Sequence, residues 1–514
     1  MNAYPEGLSG MPASPSSVSM NTANEANAMP DPAVATQDAA NRIKLSASPY
    51  RGNADFTPLV GITGGLKLDP VSIADLLRNA FVYPPHSIYR DVKVASLGFD
   101  PERDLHSAPE YRFSYRSSPA PARPGEESVD EEALLQTYHR LLCEAVSRST
   151  TGMHAPWLLQ SGGKDSTSLA IAVAETRPDA RCLTYLGGRE EDEVASARSV
   201  ARQLGLRHEA LVCKPARAYD RYLAMVPRMP LLSADFALLS YADLATEIAQ
   251  SGGDGVIDGL GSDIYFGTPV DLRRQVLVRM ARGIRLPSGL LEASPLGRSF
   301  VACFVLATLG MDSFERYFPG SRFSDQEVDR LLGRPVAAQS RQRLQVFKDE
   351  LAATVSDEGR RRVSLAIAEA AAAFPKGQYT TSALGLRQAY PFCDAQLSEW
   401  VYRHVPDTHL IDREGHNKPL VRKHITRRFG ELPYVKAKGC FRFDLCGLAA
   451  ARFDQVHAFA VQASELMPGA VGWLEAHRGR MGNKFFASKF YLLAIILPWL
   501  LSRAGASRSL EPLE

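Results

Sequence analysis

The residues best suited to chemistry stand in the hexapeptide SGGKDS, Ser161 to Ser166, which follows the apolar run WLLQ and opens an amphipathic stretch. Gly162 and Gly163 let the backbone approach an anion closely. The first N–H groups of the helix that follows point outward, carrying partial positive charge. Ser161, Ser166 and Thr167 add hydroxyls, and Lys164 adds a formal charge. This is a phosphate cradle, but it lacks the GxxxxGK[ST] spacing of the Walker loop and carries Asp165 inside the turn. A carboxylate beside phosphates is repulsive unless a divalent cation lies between them, so Asp165 reads as a magnesium ligand. The plainer alternative is a strand-to-helix turn whose Asp165 sits favourably on the helix dipole.

The elements around this turn alternate. The strand WLLQ precedes a helix from about Lys164, RCLTYLG (181–187) precedes a helical stretch to about 205, and RHEALVC (207–213) is a third strand. A helix over about 235–250 then leads into DGVIDGLGSDIYFG (254–267). Alternation at this spacing predicts an α/β fold with a parallel sheet flanked by helices, and such sheets bind ligands beyond the carboxyl ends of their strands. Both glycine-rich turns fall at such ends.

The chain has 514 residues, a formal net charge of +2 and seven cysteines without a CxxC pair. That length suits two or three domains, and the weak charge speaks against nucleic acid as a partner. The cysteines read as free thiols in a reducing compartment, which points to the cytoplasm. Residues 1–45, rich in Ala, Pro, Ser and Asn, read as a disordered tail without a signal peptide. Residues 116–128 read as a linker between an N-terminal domain (46–115) and a main domain (129–505). Ser128 and Glu131 stand at capping-box spacing for its first helix. FYLLAIILPWLL, about a dozen residues with Pro498 inside, is too short to span a bilayer and reads as a buried terminal helix with Trp499 in the core.

The sequence SGGxDS after a strand resembles the signature of the PP-loop ATP pyrophosphatases, and four further stretches resemble the asparagine synthetase family in order. VIDGLGSDIYFG is similar to that family's second loop. LGLRQAYPFCDAQLSEWVYRHVP is similar to its GxExRxPFLD stretch, HNKPLVRKHI to its KxxLR helix, and LPYVKAKGCFRF to its lysine-bearing segment. The resemblance implies an adenine nucleotide α-hydrolase-like fold and an ATP-dependent, AMP-forming ligase. The enzyme would adenylate a small-molecule or peptide carboxylate and pass it to an amine or ammonia. ATP would lie on Ser161, Gly162, Gly163, Lys164, Asp165, Ser166, Gly259, Gly261, Ser262 and Asp263. Asp165 and Asp263 would hold Mg²⁺, and Lys438 would stabilise the reacting acyl centre. Lys418 and Arg422 read as helix-face charges, with pyrophosphate contact as the alternative. Cys440 and Cys446 read as fillers.

The departures are equally specific. Family members that hydrolyse glutamine need a cysteine after the initiator methionine, whereas this sequence begins Met1-Asn2. Residues 71–115 nevertheless resemble the last part of the Ntn-type glutaminase domain, so the N-terminal region reads as a truncated β-rich remnant, and a separate ammonia-supplying partner stays open, as does a homo-oligomer. Leu260 and Ile264 stand where the family carries glutamates, leaving no acid–base group at either place. Three alternatives remain at this stage. They are a glutamine-hydrolysing asparagine synthase, a PP-loop tRNA sulfur-transfer enzyme, which Lys164 favours, and a non-catalytic nucleotide-binding scaffold.

Overall fold

The computed structural model describes residues 43–46, 54–59, 66–95, 130–187, 191–266, 298–311, 315–317, 323–345, 347–349, 369–412, 414, 416–433 and 443–504. The expected linker at 116–128 lies outside them. The described elements begin with β1 (Ile43–Ser46), which crosses the expected end of the tail at residue 45, then α1 (Pro70–Asn79) and β2 (Val92–Ala95). β1 and β2 pair in parallel, Ile43 opposite Val92.

The main body follows as α2 (Glu131–Ser149), β3 (Pro156–Leu159), α3 (Lys164–Thr176), β4 (Arg181–Leu186), α4 (Glu191–Gln203) and β5 (Arg207–Val212). Next come α5 (Pro215–Met225), α6 (Leu238–Gln250), β6 (Gly255–Ile257) and the one-turn α7 (Ser262–Tyr265). The later elements that matter here are α8 (Asp325–Leu332), α9 (Ala337–Gln342), α10 (Phe374–Ala383), β7 (Arg387–Ala389), α11 (Ala395–His404), α12 (Pro419–Phe429), α13 (Leu445–Gln462) and α14 (Lys484–Ala504). The cap of α2 differs from the sequence expectation. Asp130 is its N-cap, accepting from the N–H groups of Glu132 and Ala133, so Glu131 is the first helical residue, and Ser128 lies outside the described residues. A short carboxylate next to the first turn serves the same orphan donors two residues later.

The five strands form one parallel sheet in the order β5-β4-β3-β6-β7. Alternate residues feed opposite faces. Leu158 and Ile257 pack with Leu142, Val146, Leu169 and Ile171 of α2 and α3, while Trp157 and Val256 pack with Leu244 and Ile248 of α6. Each fully buried Leu or Ile contributes about 1.5–3 kcal/mol relative to exposure, so a one-residue slip of β3 would be strongly opposed. The chain leaves β3 for β4 and β5 on one side, then returns to put β6 and β7 on the other. The order therefore reverses between β3 and β6, and parallel sheets open a ligand crevice at such a switch.

A second, larger hydrophobic cluster joins α1 to α5, α13 and α14. Beside it, the buried Arg78 of α1 pairs with Glu315 and reaches Asp325 at 3.3 Å, and Arg343 holds Asp69 at 2.5 Å and Asp75 at 2.8 Å. α14 is longer than its apolar run suggested, at 21 residues, and Pro498 sits inside it. By length and composition it could cross a membrane, yet 83% of its most apolar window is buried in the fold. Trp499 and Leu497 are fully enclosed, which makes α14 a core helix.

Candidate functional site

The two glycine-rich loops leave adjacent strands at the reversal point. Gly163 is the N-cap of α3 and makes no side-chain cap, so the helix N-terminus keeps its backbone end toward the crevice. Gly162 is required for a different reason from the one its motif suggests. A Cβ there would lie 2.9 Å from the Glu193 Cα and 3.0 Å from its carbonyl oxygen, so the glycine admits the first turn of α4. The hydroxyls are committed to the loop itself. Ser166 Oγ donates to the Ser161 carbonyl at 2.7 Å, Thr167 Oγ1 donates to the Gly163 carbonyl at 2.8 Å, and the Gly163 N–H donates to Ser161 Oγ at 3.3 Å. They fix the turn's shape. Lys164 is half-buried at the first helical position.

The second loop lies against this turn. A Cβ on Gly259 would stand 3.8 Å from the Ser166 backbone nitrogen. Gly261 has φ +96°, and a side chain there would strike Cys393 Sγ, so only glycine suits the position. Leu260 and Ile264, where the family resemblance would have put glutamates, pack into the hydrophobic cluster below. Asp258 anchors the loop's start, accepting from the Leu260 N–H at 3.1 Å and from the Tyr241 hydroxyl at 2.6 Å. Burial and then the Asp258 charge push the Tyr241 phenol well above its ordinary value, so it stays a donor.

One nitrogen gathers both loops. Lys418 Nζ lies 2.8 Å from Asp165 Oδ1, 2.8 Å from Ser262 Oγ and 2.5 Å from Asp263 Oδ1, and its side chain is wholly buried. Burial opposes its charge, but the two carboxylates outweigh burial and hold the ammonium above the usual lysine value. Asp165 is nearly buried, while the side chain of Asp263 is 42% exposed and faces the crevice mouth. Lys418 adopts φ 59°, ψ 49° as the N-cap of α12, with its N–H on the Leu410 carbonyl at 2.7 Å.

The sequence reading missed this residue's place. A residue directly before proline is disfavoured in the right-handed helical region, so Lys418, followed by Pro419, belongs before the helix and not on its face. Arg422 donates to the Asn417 carbonyl at 2.9 Å and holds the approach to α12. Gln160, at the end of β3, was also missed. It is buried, and neither side-chain amide atom has a hydrogen-bond partner among the described residues. A buried polar group left in this state is uncommon in folded proteins. Lys438 and Cys440 lie outside the described residues. Cys446 is half-buried against the large cluster.

These features fit a metal–triphosphate. Asp165, Asp263 and Ser262 gather hard oxygens around Lys418 Nζ, and a carboxylate from each loop beside one another is the donor chemistry magnesium takes. The α3 N-terminus supplies the dipole. Residues 137–433 match the family model described as asparagine synthase. Among solved structures, the NMN synthetase from Francisella tularensis is 16% identical over 46% of this chain and 93% of its own, with a TM-score of 0.21. A comparison with curated proteins gives no match.

Proposed function

Since the chain belongs to the asparagine synthase family of ATP-using synthetases, we propose that it is an AMP-forming carbon–nitrogen ligase that adenylates a carboxylate and passes it to an amine. The observation that carries this reading is the convergence of Asp165, Ser262 and Asp263 on Lys418 Nζ at the switch point between β3 and β6. When bound there, Mg²⁺ would neutralise charge on the pyrophosphate as it leaves. The protein's own part is positional. The α3 N-terminus orients the β- and γ-phosphates, Lys418 holds the two carboxylates against each other's repulsion, and the buried Ile264 with the half-buried Leu260 ties the second loop to the hydrophobic cluster. Leu260 and Ile264 supply no base, so the amine would enter as its free-base fraction or use a group elsewhere.

The test is exchange of radiolabelled pyrophosphate into ATP by the full chain, run against panels of amino acids, dicarboxylic acids and peptides. At least one carboxylate should drive exchange, and Asp263→Asn should remove it. Asp263 is the cleaner choice because its half-exposed side chain leaves the buried Asp165–Lys418 pair in place. Nucleotide binding with no exchange across the panel would favour the non-catalytic scaffold.

A further inference from the structure

Away from the crevice, three side chains with three kinds of donor meet at the other end of α3. His139 and Cys143 stand one turn apart on α2 and share a face, and Glu175 reaches across from the last turn of α3. His139 Nε2 lies 2.9 Å from Glu175 Oε2 and 3.7 Å from Cys143 Sγ, and all three ligand atoms fall within 4.8 Å of one another. Tetrahedral zinc bonded to nitrogen, sulfur and oxygen at its usual lengths sets donors about 3.3–3.6 Å apart. The sulfur–nitrogen pair is already near that spacing. Glu175, whose side chain is 53% exposed, is free to open by the half ångström the other pair needs.

The imidazole is also oriented from behind. His139 Nδ1 is 3.0 Å from Nε2 of the buried His424, whose Nδ1 is 2.9 Å from Ser168 Oγ, itself 2.8 Å from the Tyr138 hydroxyl. This chain runs in either direction. In one, His139 donates its Nε2 proton to Glu175. In the other, His139 Nδ1–H donates to His424, His424 Nδ1–H donates to Ser168, and the Nε2 lone pair is left facing Cys143 and Glu175. Metal-binding histidines are characteristically held in this way through their second nitrogen, which fixes tautomer and ring angle.

We propose that His139, Cys143 and Glu175 form a zinc site that clamps α2 to α3, with a fourth position open to water. Glu175 lies ten residues after Asp165 on the same helix, about 15 Å along its axis, so the site is separate from the magnesium ligands. On binding, the Cys143 sulfur–hydrogen bond breaks and one proton leaves to solvent. The imidazole turns its Nε2 lone pair to the metal, and the thiol supplies the proton released.

The test uses the full chain, stripped of metal and titrated with Co²⁺ and then Zn²⁺. One equivalent of Co²⁺ should give a near-ultraviolet thiolate-to-cobalt band, release one proton and be displaced by Zn²⁺. Cys143→Ser should abolish the band, Glu175→Gln should weaken binding, and His424→Asn should weaken it about 10–100-fold through the ring it orients. Cys446→Ser, elsewhere and half-exposed, should change nothing. Cys143→Ser is nearly isosteric and Glu175→Gln is exposed, so both should keep the wild-type melting temperature. Absence of the band in wild type, or its persistence in Cys143→Ser, overturns the proposal. Carboxylates at the crevice bind cobalt without a thiolate band, so this result is independent of the proposed ligase activity.

Discussion

Lys418 joins two loops through a single nitrogen, and its removal separates holding the site from chemistry at it. Lys418→Met keeps much of the side chain's volume but leaves Asp165 and Asp263 facing each other without a cation. Breaking a buried pair typically costs about 3–5 kcal/mol, and the exposure of Asp263 places this case toward the lower end. The urea midpoint should fall accordingly and recover in part with millimolar MgCl₂, since a divalent ion can take over the neutralisation. If Mg²⁺ leaves the variant's midpoint where it was, the carboxylates do not share a cation site. The sequence showed both carboxylates through their glycine-rich settings, whereas nothing in residue type alone distinguishes a lysine buried between them from one on a surface. The signal was positional, in the proline that follows it. Gln160 carried no signal at all, because a glutamine at a strand end acquires meaning only when its amide proves buried and unpaired.

At the scale of elements, the long alternation from β3 to β6 was legible because strands buried on both faces read as apolar runs and the intervening helices keep their period. Shorter features were not. β7 has three residues and appeared only as part of a motif, and α5, with Pro215 at its start, drew no prediction. The packing of α2, α3 and α12 has a measurable consequence through His424. Burial, then the neighbouring His139 and Arg427, hold its imidazole down to about 3. A histidine depressed in the folded state contributes stability that is intact above the unfolded value near 6.5 and is lost as pH falls from there toward the folded value. From pH 7 to 5 this one residue should remove about 2 kcal/mol. His208, half-buried and held to about 4 chiefly by burial, acts with the same sign. His424→Gln should therefore unfold with a shallower pH dependence than wild type, measured as the difference between denaturation midpoints at pH 7 and 5. Parallel slopes would show that His424 is protonated in the folded protein.

For the whole molecule, the binding between α1 and the later helices rests on charge as well as apolar area. Arg78 is 2% exposed and meets Glu315, Ser340 at 2.9 Å and Asp325. Arg78→Met should remove the guanidinium paired with the buried Glu315 carboxylate and cost about 3–5 kcal/mol in a denaturation curve. Adding Glu315→Leu should recover most of that loss, because two well-packed apolar groups replace a buried pair at little net cost. A double variant as unstable as the single one would mean that shape, not charge, dominates there.

The company α1 keeps also has a consequence in time. Its partners in the large cluster include α14, and roughly 400 residues separate Asn79 from Lys484. At about 5–20 residues per second, a ribosome needs about 20–80 s to bridge that gap. Throughout that interval Ile73, Leu76 and Leu77 have emerged, while the helix that completes their enclosure has not been synthesised. The nascent chain must be shielded by chaperones or by transient contacts of its own, and its final collapse waits for α14 to leave the exit tunnel.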